Sequence, residues 1–365
     1  MVIAKFLATT LFSLLLLYSI IGNTALLIIL HKDRNIFLNR TFVYICLHLI
    51  ICAFISYIPQ VTIILPETVN EDLFSEYKKS YIYRIGLSIG TFCFFAMLQF
   101  TFLLALSRCI FFILPRFNNI FTGIKMHVIM AFTWLLAAFV TIFEMYSCMN
   151  EFNGANLERS IKCKTYGIGK HYLRFRLGAV LGIPIIIFVM YTVIFNNLRR
   201  KRSSVFSIMP RESQNISWIS RSGQHGNSFI DNGRNNAEAS ILIQGSIVCF
   251  IVEFEILSLI FLRQIGIALF DDKADIYLNI FANCFVIFFS AIQPTVYFIY
   301  NKRIRHYMTF ELLRRIKNTK ETITISQIIF TFSVLYYTGG IQQFQINLLE
   351  LLFNVLRKAC QIGMK

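Results

Sequence analysis

The residues best suited to chemistry in this chain are polar groups set inside apolar blocks. Asn279, Asn283, Ser290 and Tyr297 are offset by 4, 11 and 18 residues. At about 100° per residue they share one helix face within roughly 40°, and Gln293 joins its edge. Polar groups are costly against lipid, so this face should point into a bundle. There it either bonds neighbouring helices or senses and switches; the residues alone leave both open. Arg108 ends a long uncharged block, as a snorkelling anchor or as a switch residue. Gly90, Phe94, Met97 and Thr101 precede Arg108 by 18, 14, 11 and 7 residues. If Arg108 faces the bundle axis, so do they, which makes them the expected wall of a ligand pocket, with Asn279 and Asn283 across from it. Glu253 and Glu255 stand at membrane depth about 200° apart on their helix, so they cannot share one face. Which of them points inward is open, and Glu255 is included among the ligand-binding candidates. Cys148 and Cys163 flank a polar outer loop in an oxidising setting, and a disulfide between them is expected. No metal-ligand cluster, phosphate-binding glycine loop or catalytic set occurs. The expectation is therefore no metal, no cofactor and no enzymatic activity.

The elements that must position these residues follow from composition. Of 365 residues 56% are hydrophobic and only 15% charged, and the apolar ones cluster in uncharged blocks of membrane-spanning length. Seven such blocks are expected, at 6–30, 41–65, 82–113, 125–147, 176–198, 239–269 and 275–300. The fold class expected is an all-α membrane protein, a seven-transmembrane helix bundle. The net charge of +16 reads as topology rather than as a nucleic-acid site. With the N-terminus outside, Lys32, Arg34, Arg40, Arg116, Lys125, the run Arg199-Arg200-Lys201-Arg202 and the cluster after Lys302 fall inside. Glu67, Glu71, Asp72, Glu76, Asp271 and Asp272 fall outside, which is the positive-inside pattern. The receptor domain then covers 1–313. Within it, 199–238 is expected to be a flexible cytoplasmic loop, with its basic start a docking point for an inner partner. Residues 302–313 read as an amphipathic helix on the inner face, and 314–365 as a cytoplasmic tail associated with the membrane.

Several of these residues resemble the motifs of rhodopsin-like receptors. Gly22-Asn23 resembles the Gly-Asn pair of the first helix. Ser107-Arg108-Cys109 sits where that family has Asp-Arg-Tyr. Trp134 and Pro184 resemble the Trp and Pro of the fourth and fifth helices, and Gln293-Pro294-Thr295-Val296-Tyr297 resembles Asn-Pro-x-x-Tyr. The resemblance covers 6–313. It departs at the acid of the second helix, at the acid before the Arg, at the loop-to-helix cysteine bridge and at the Trp-x-Pro of the sixth helix. In these departures, and in its Phe-rich helices, the chain is similar to the nematode serpentine chemoreceptors, and within them to the srx-type branch. The resemblance implies a G-protein-coupled receptor at the plasma membrane of sensory neurons, in their cilia. It would bind a small chemical cue, an odorant or pheromone, and signal to a heterotrimeric G protein. Asn23, Arg108, Gln293, Pro294, Tyr297 and Arg199–Arg202 would then serve switching and coupling. The alternative is a seven-span ligand-gated channel or transporter; that reading calls for a charged pore or paired broken helices, and no internal repeat is present.

Overall fold

The computed structural model describes residues 2–32, 40–70, 77–163, 168–208 and 275–300, together with 245–248, 250, 251, 253, 254, 257, 258 and 261; of 201–208 it describes the backbone alone. Six helices among these are long and apolar enough to cross a membrane. The first is α1 (Val2–Lys32). The second span is compound: α2 (Arg40–Pro59), a π-helical turn over Gln60–Ile64, and α3 (Leu65–Val69). Pro66 has no amide hydrogen to give, so the helix cannot close an ordinary turn before it. The Leu65 amide instead reaches the Gln60 carbonyl, five residues back, and the extra residue is absorbed as a π-bulge. Then follow α4 (Tyr81–Ile113) and α5 (Ile124–Ser147). A hairpin of β1 (Cys148–Asn153) and β2 (Glu158–Cys163) comes next, and α6 (Ile168–Ile208) and α7 (Asp275–Tyr300) complete the described chain. Between α6 and α7 the described residues from 245 to 261 are helical. The rest of the expected sixth block, with Glu255, lies outside the described residues, as do the expected amphipathic helix 302–313 and the tail.

The helix α4 is the hub. It packs against α2, α5, α6 and the hairpin, while α1 packs along α7. The turn into α4 is capped by Ser80, whose hydroxyl accepts from the Tyr83 amide at 3.2 Å, a common way to satisfy the free amides of a helix start. The face of α5 that carries Val128, Phe132, Leu135, Phe139 and Ile142 is exposed. In water such a stripe would be untenable; lipid is the solvent that suits it.

The chain is an all-α membrane protein in its spans, and two local features depart from the expectation. The first is a small sheet outside the spans. The segment between Cys148 and Cys163 is an antiparallel hairpin, with Cys148 opposite Cys163 and Phe152 opposite Arg159. Its turn is tied by the Asn153 side chain, which accepts from the Ala155 amide at 2.9 Å, and Leu157 takes the left-handed conformation at φ 56°. The second is the loop from 199. Here α6 continues through Ile208, so Arg199, Arg200, Lys201 and Arg202 lie on a helix. Nothing in Arg-Arg-Lys-Arg stops a helix, since Lys and Arg are good helix formers and no Gly or Pro intervenes.

Gly154 in the hairpin turn lies against the end of α3. A methyl group there would stand 2.7 Å from the Glu67 carbonyl oxygen. Gly154→Ala should therefore lower the melting temperature of the detergent-purified protein, by an overpacking cost of about 1–3 kcal/mol. An unchanged melting temperature would show that the turn sits looser than the structure has it.

Candidate functional site

Two buried carboxylates seat the hairpin. Glu144 ends α5 and is 1% exposed. It accepts from the Thr91 hydroxyl of α4 at 2.9 Å, from the Asn150 amide of β1 at 2.7 Å and from Arg176 of α6 at 3.1 Å. The Tyr172 hydroxyl, also on α6, is its fourth donor. Glu67, on α3 and fully buried, accepts from Tyr83 of α4 at 2.9 Å and from the Gly154 amide of the turn at 3.1 Å. Lys78 pairs with it at 2.7 Å. A buried charge is tolerable only when it is paired and hydrogen-bonded, and each carboxylate collects its donors from several elements. On the far side α7 holds the turn. Asn279 donates to the Asn156 carbonyl at 3.0 Å, and Asn283 donates to the Leu157 carbonyl at 2.7 Å. The Leu157 side chain is buried, so the turn is set into the bundle.

Beneath the hairpin lies a cavity in two parts. The larger, about 370 Å³, is bordered by Leu87, Thr91, Asn150, Arg159, Asn279 and Asn283 among others. The smaller, about 50 Å³, lies deeper, between Gln60, Gly90, Phe94, Met97, Arg159 and Phe289. A Cβ at Gly90 would meet nothing within 4 Å, so its missing side chain is space rather than close packing. Three of the four residues expected to line a pocket from α4 do so: Gly90, Phe94 and Met97. Thr101 does not; it is buried and donates to the Met97 carbonyl at 2.8 Å. Asn279 and Asn283 border the larger part, but their amides are spent on the turn.

Deeper still, α7 is joined to α1 and α2. Pro294 cannot donate to the Ser290 carbonyl four residues before it. The Asn23 amide does so instead, at 2.8 Å. Asn23 also donates to the Tyr57 hydroxyl at 2.8 Å, and Tyr57 meets Ser19 at 2.5 Å. Ser56 and Ser290 bond at 3.0 Å. Gly22 makes this possible, since a Cβ there would stand 3.3 Å from the Pro294 ring. The polar stripe of α7 thus bonds the hairpin turn through Asn279 and Asn283 and the helix α2 through Ser290.

At the opposite end from the hairpin Arg108 is buried. Its guanidinium lies 4.6 Å from the centre of the Phe42 ring, a cation–π contact, and no acid pairs with it among the described residues. Phe42 meets Tyr297 edge-on at 5.7 Å, and the Tyr297 hydroxyl lies 3.7 Å from the Cys46 sulfur. Gln293 stands beside Cys46. Arg108, Gln293 and Tyr297 therefore meet around α2. Arg199 and Arg200 are exposed on α6, while Glu253 is half-buried on the helical segment before α7.

A family model described as a protein of unknown function, DUF621, matches residues 1–209, more than half of the 365 residues. The chain belongs to DUF621. No curated protein matches it. The DUF621 segment spans α1 to α6 with the hairpin, and so holds both carboxylate nodes, Gly90, Phe94, Met97 and Arg108. The α7 residues that close the cavity lie beyond the matched segment.

Cys148 and Cys163 are joined by a disulfide. Trp134, singled out only by resemblance, donates to His48 of α2 at 3.1 Å and packs between Phe92 and Phe100. Glu144 and Tyr57 carry no weight in the sequence patterns above, and Glu67 enters them only as an outer charge. For the carboxylates a signal was there: a lone acid at the end of an apolar helix is itself unusual. Tyr57 offered none.

Replacing Glu144 by Leu leaves Arg176 and three further donors without their acceptor. Glu144→Leu is expected to destabilise the purified protein by about 3–5 kcal/mol, as for one partner lost from a buried pair. Thermal denaturation of Glu144→Leu, Arg176→Met and the double variant makes the cycle; the double variant should melt above the sum of the single losses. Strict additivity would mean that the two do not interact.

Proposed function

We propose that this DUF621 protein is a seven-helix, rhodopsin-like receptor that binds a small extracellular molecule and signals to a heterotrimeric G protein. The observation that carries the reading is the cavity beneath the hairpin, walled by the same helix that carries Arg108 near its other end. A cavity with apolar walls and a few converging polar groups is the usual form of a small-molecule site. The helical residues from 245 to 261 supply the seventh span in this reading, and the basic helical end of α6 supplies a contact for the G protein. The likeness to the nematode serpentine chemoreceptors extends it to a chemical cue sensed at the plasma membrane of sensory neurons, in their cilia. A channel or transporter would want a polar path through the bundle, whereas the groups around Asn23 and Tyr57 are consumed in bonds between helices.

Arg108 has the position of a switch. Its cation–π contact with Phe42 can be exchanged for contacts with a G-protein tail, and a switch requires contacts that differ between its states. Cells carrying a promiscuous G protein, screened with volatile and water-soluble compounds, should give a second-messenger response. Arg108→Ala should reach the surface in normal amounts and abolish that response. Gly90→Leu, which fills the deeper chamber, should shift the dose response by more than tenfold, about 1.4 kcal/mol. An N-terminal tag should label on intact cells and a tag near Gly223 only after permeabilisation. The reverse labelling would remove the receptor reading.

A further inference from the structure

Arg159 belongs to none of the networks above. It stands directly opposite Phe152 in the hairpin, and directly opposed residues share one face of the ribbon. Phe152 is buried against the bundle, so Arg159 is aimed the same way. It borders both chambers and is the only hairpin residue described on the deeper one. Arg159 is itself exposed, because its side chain borders the open chambers rather than packing into the bundle.

No hydrogen bond or ion pair reaches its guanidinium among the described residues. The other charges around the larger chamber are taken. Arg176 pairs with Glu144 and Glu151 with Lys162, and Glu158 has a partner of its own. The protein crowded around it draws the Arg159 guanidinium down from its ordinary range to about 10, so it is still cationic at neutral pH and open to an anion.

We infer that Arg159 is the anion anchor of this cavity, and that its ligand is a small amphipathic carboxylate. The planar guanidinium fork matches a carboxylate with two parallel hydrogen bonds. The tail then enters the deeper chamber between Gly90, Phe94, Met97 and Phe289, whose thioether and rings adapt to an alkyl chain. The inference rests on the ligand-binding reading of the cavity, but its test needs no G protein.

The full chain is placed in nanodiscs of zwitterionic lipid and melted with octanoate, octanol or octylamine, and with hexanoate and decanoate. Binding to the folded state raises the melting temperature. Octanoate should raise it, while octanol and octylamine, which partition into lipid as well, should not. Arg159→Gln should melt at or above wild type without ligand and lose the octanoate shift. Arg159→Lys, which keeps the charge and loses the fork, should retain a weakened shift. Should Arg159→Gln fail to fold, Gly90→Leu decides: it should move the preference from octanoate to hexanoate. No shift from any of the three acids, an equal shift from octanol, or a full octanoate shift in Arg159→Gln would overturn the inference. A carboxylate shift in a protein that never signals would leave this site standing and remove the receptor reading. Signals evoked equally by neutral compounds would do the reverse.

Discussion

The bundle depends on one constraint: a carboxylate cannot be left alone in a medium without water. Glu144 answers it by drawing four donors from α4, β1 and α6. Each bond is a local necessity, yet together they fix where three elements stand. The hairpin lies across the bundle because Asn150 is needed at Glu144 and the Gly154 amide at Glu67. The cavity beneath it is the space left once those bonds are made. Apolar contact alone would not do this, because side chains that meet lipid or each other with similar ease set no unique register.

The helices were legible because their solvent is legible. Long uncharged runs can mean little else, and the observed spans differ from the sequence reading mainly at their ends. Those ends were misjudged for a common reason: hydropathy marks what must be buried in lipid and is silent on how far a helix continues into water. So α6 runs on through its basic residues, and the second span continues past Pro66 to Val69. The hairpin was missed because its pairing is a matter of register between two short polar strands, for which membrane periodicity gives no cue.

The pocket wall was legible through α4 alone. A straight helix keeps its bearing, so the offsets from Arg108 carried Gly90, Phe94 and Met97 to the same side. The method fails across elements. No spacing rule within α7 shows that the Asn279 and Asn283 amides are used by carbonyls more than a hundred residues earlier. Nor does one show that Tyr57 of α2 bonds to α1. The tyrosine hydroxyl meets Asn23 and Ser19 there, and it does so without bringing a charge.

The bond from Asn23 to the Ser290 carbonyl spans 267 residues. It joins the first helix of the chain to the last one described, at the carbonyl that Pro294 leaves open. During synthesis α1 enters the membrane before α7, and its asparagine must wait through the helices between them for this acceptor. Until α7 arrives, Asn23 has its own helix's Ser19 carbonyl and the Tyr57 hydroxyl of α2 for company. The same delay holds for α7, whose proline gap stays unbridged until α1 lies beside it. The joining of α1 and α7 is thus marked by a single amide, and a chain lacking α1 would carry an α7 with an open seam.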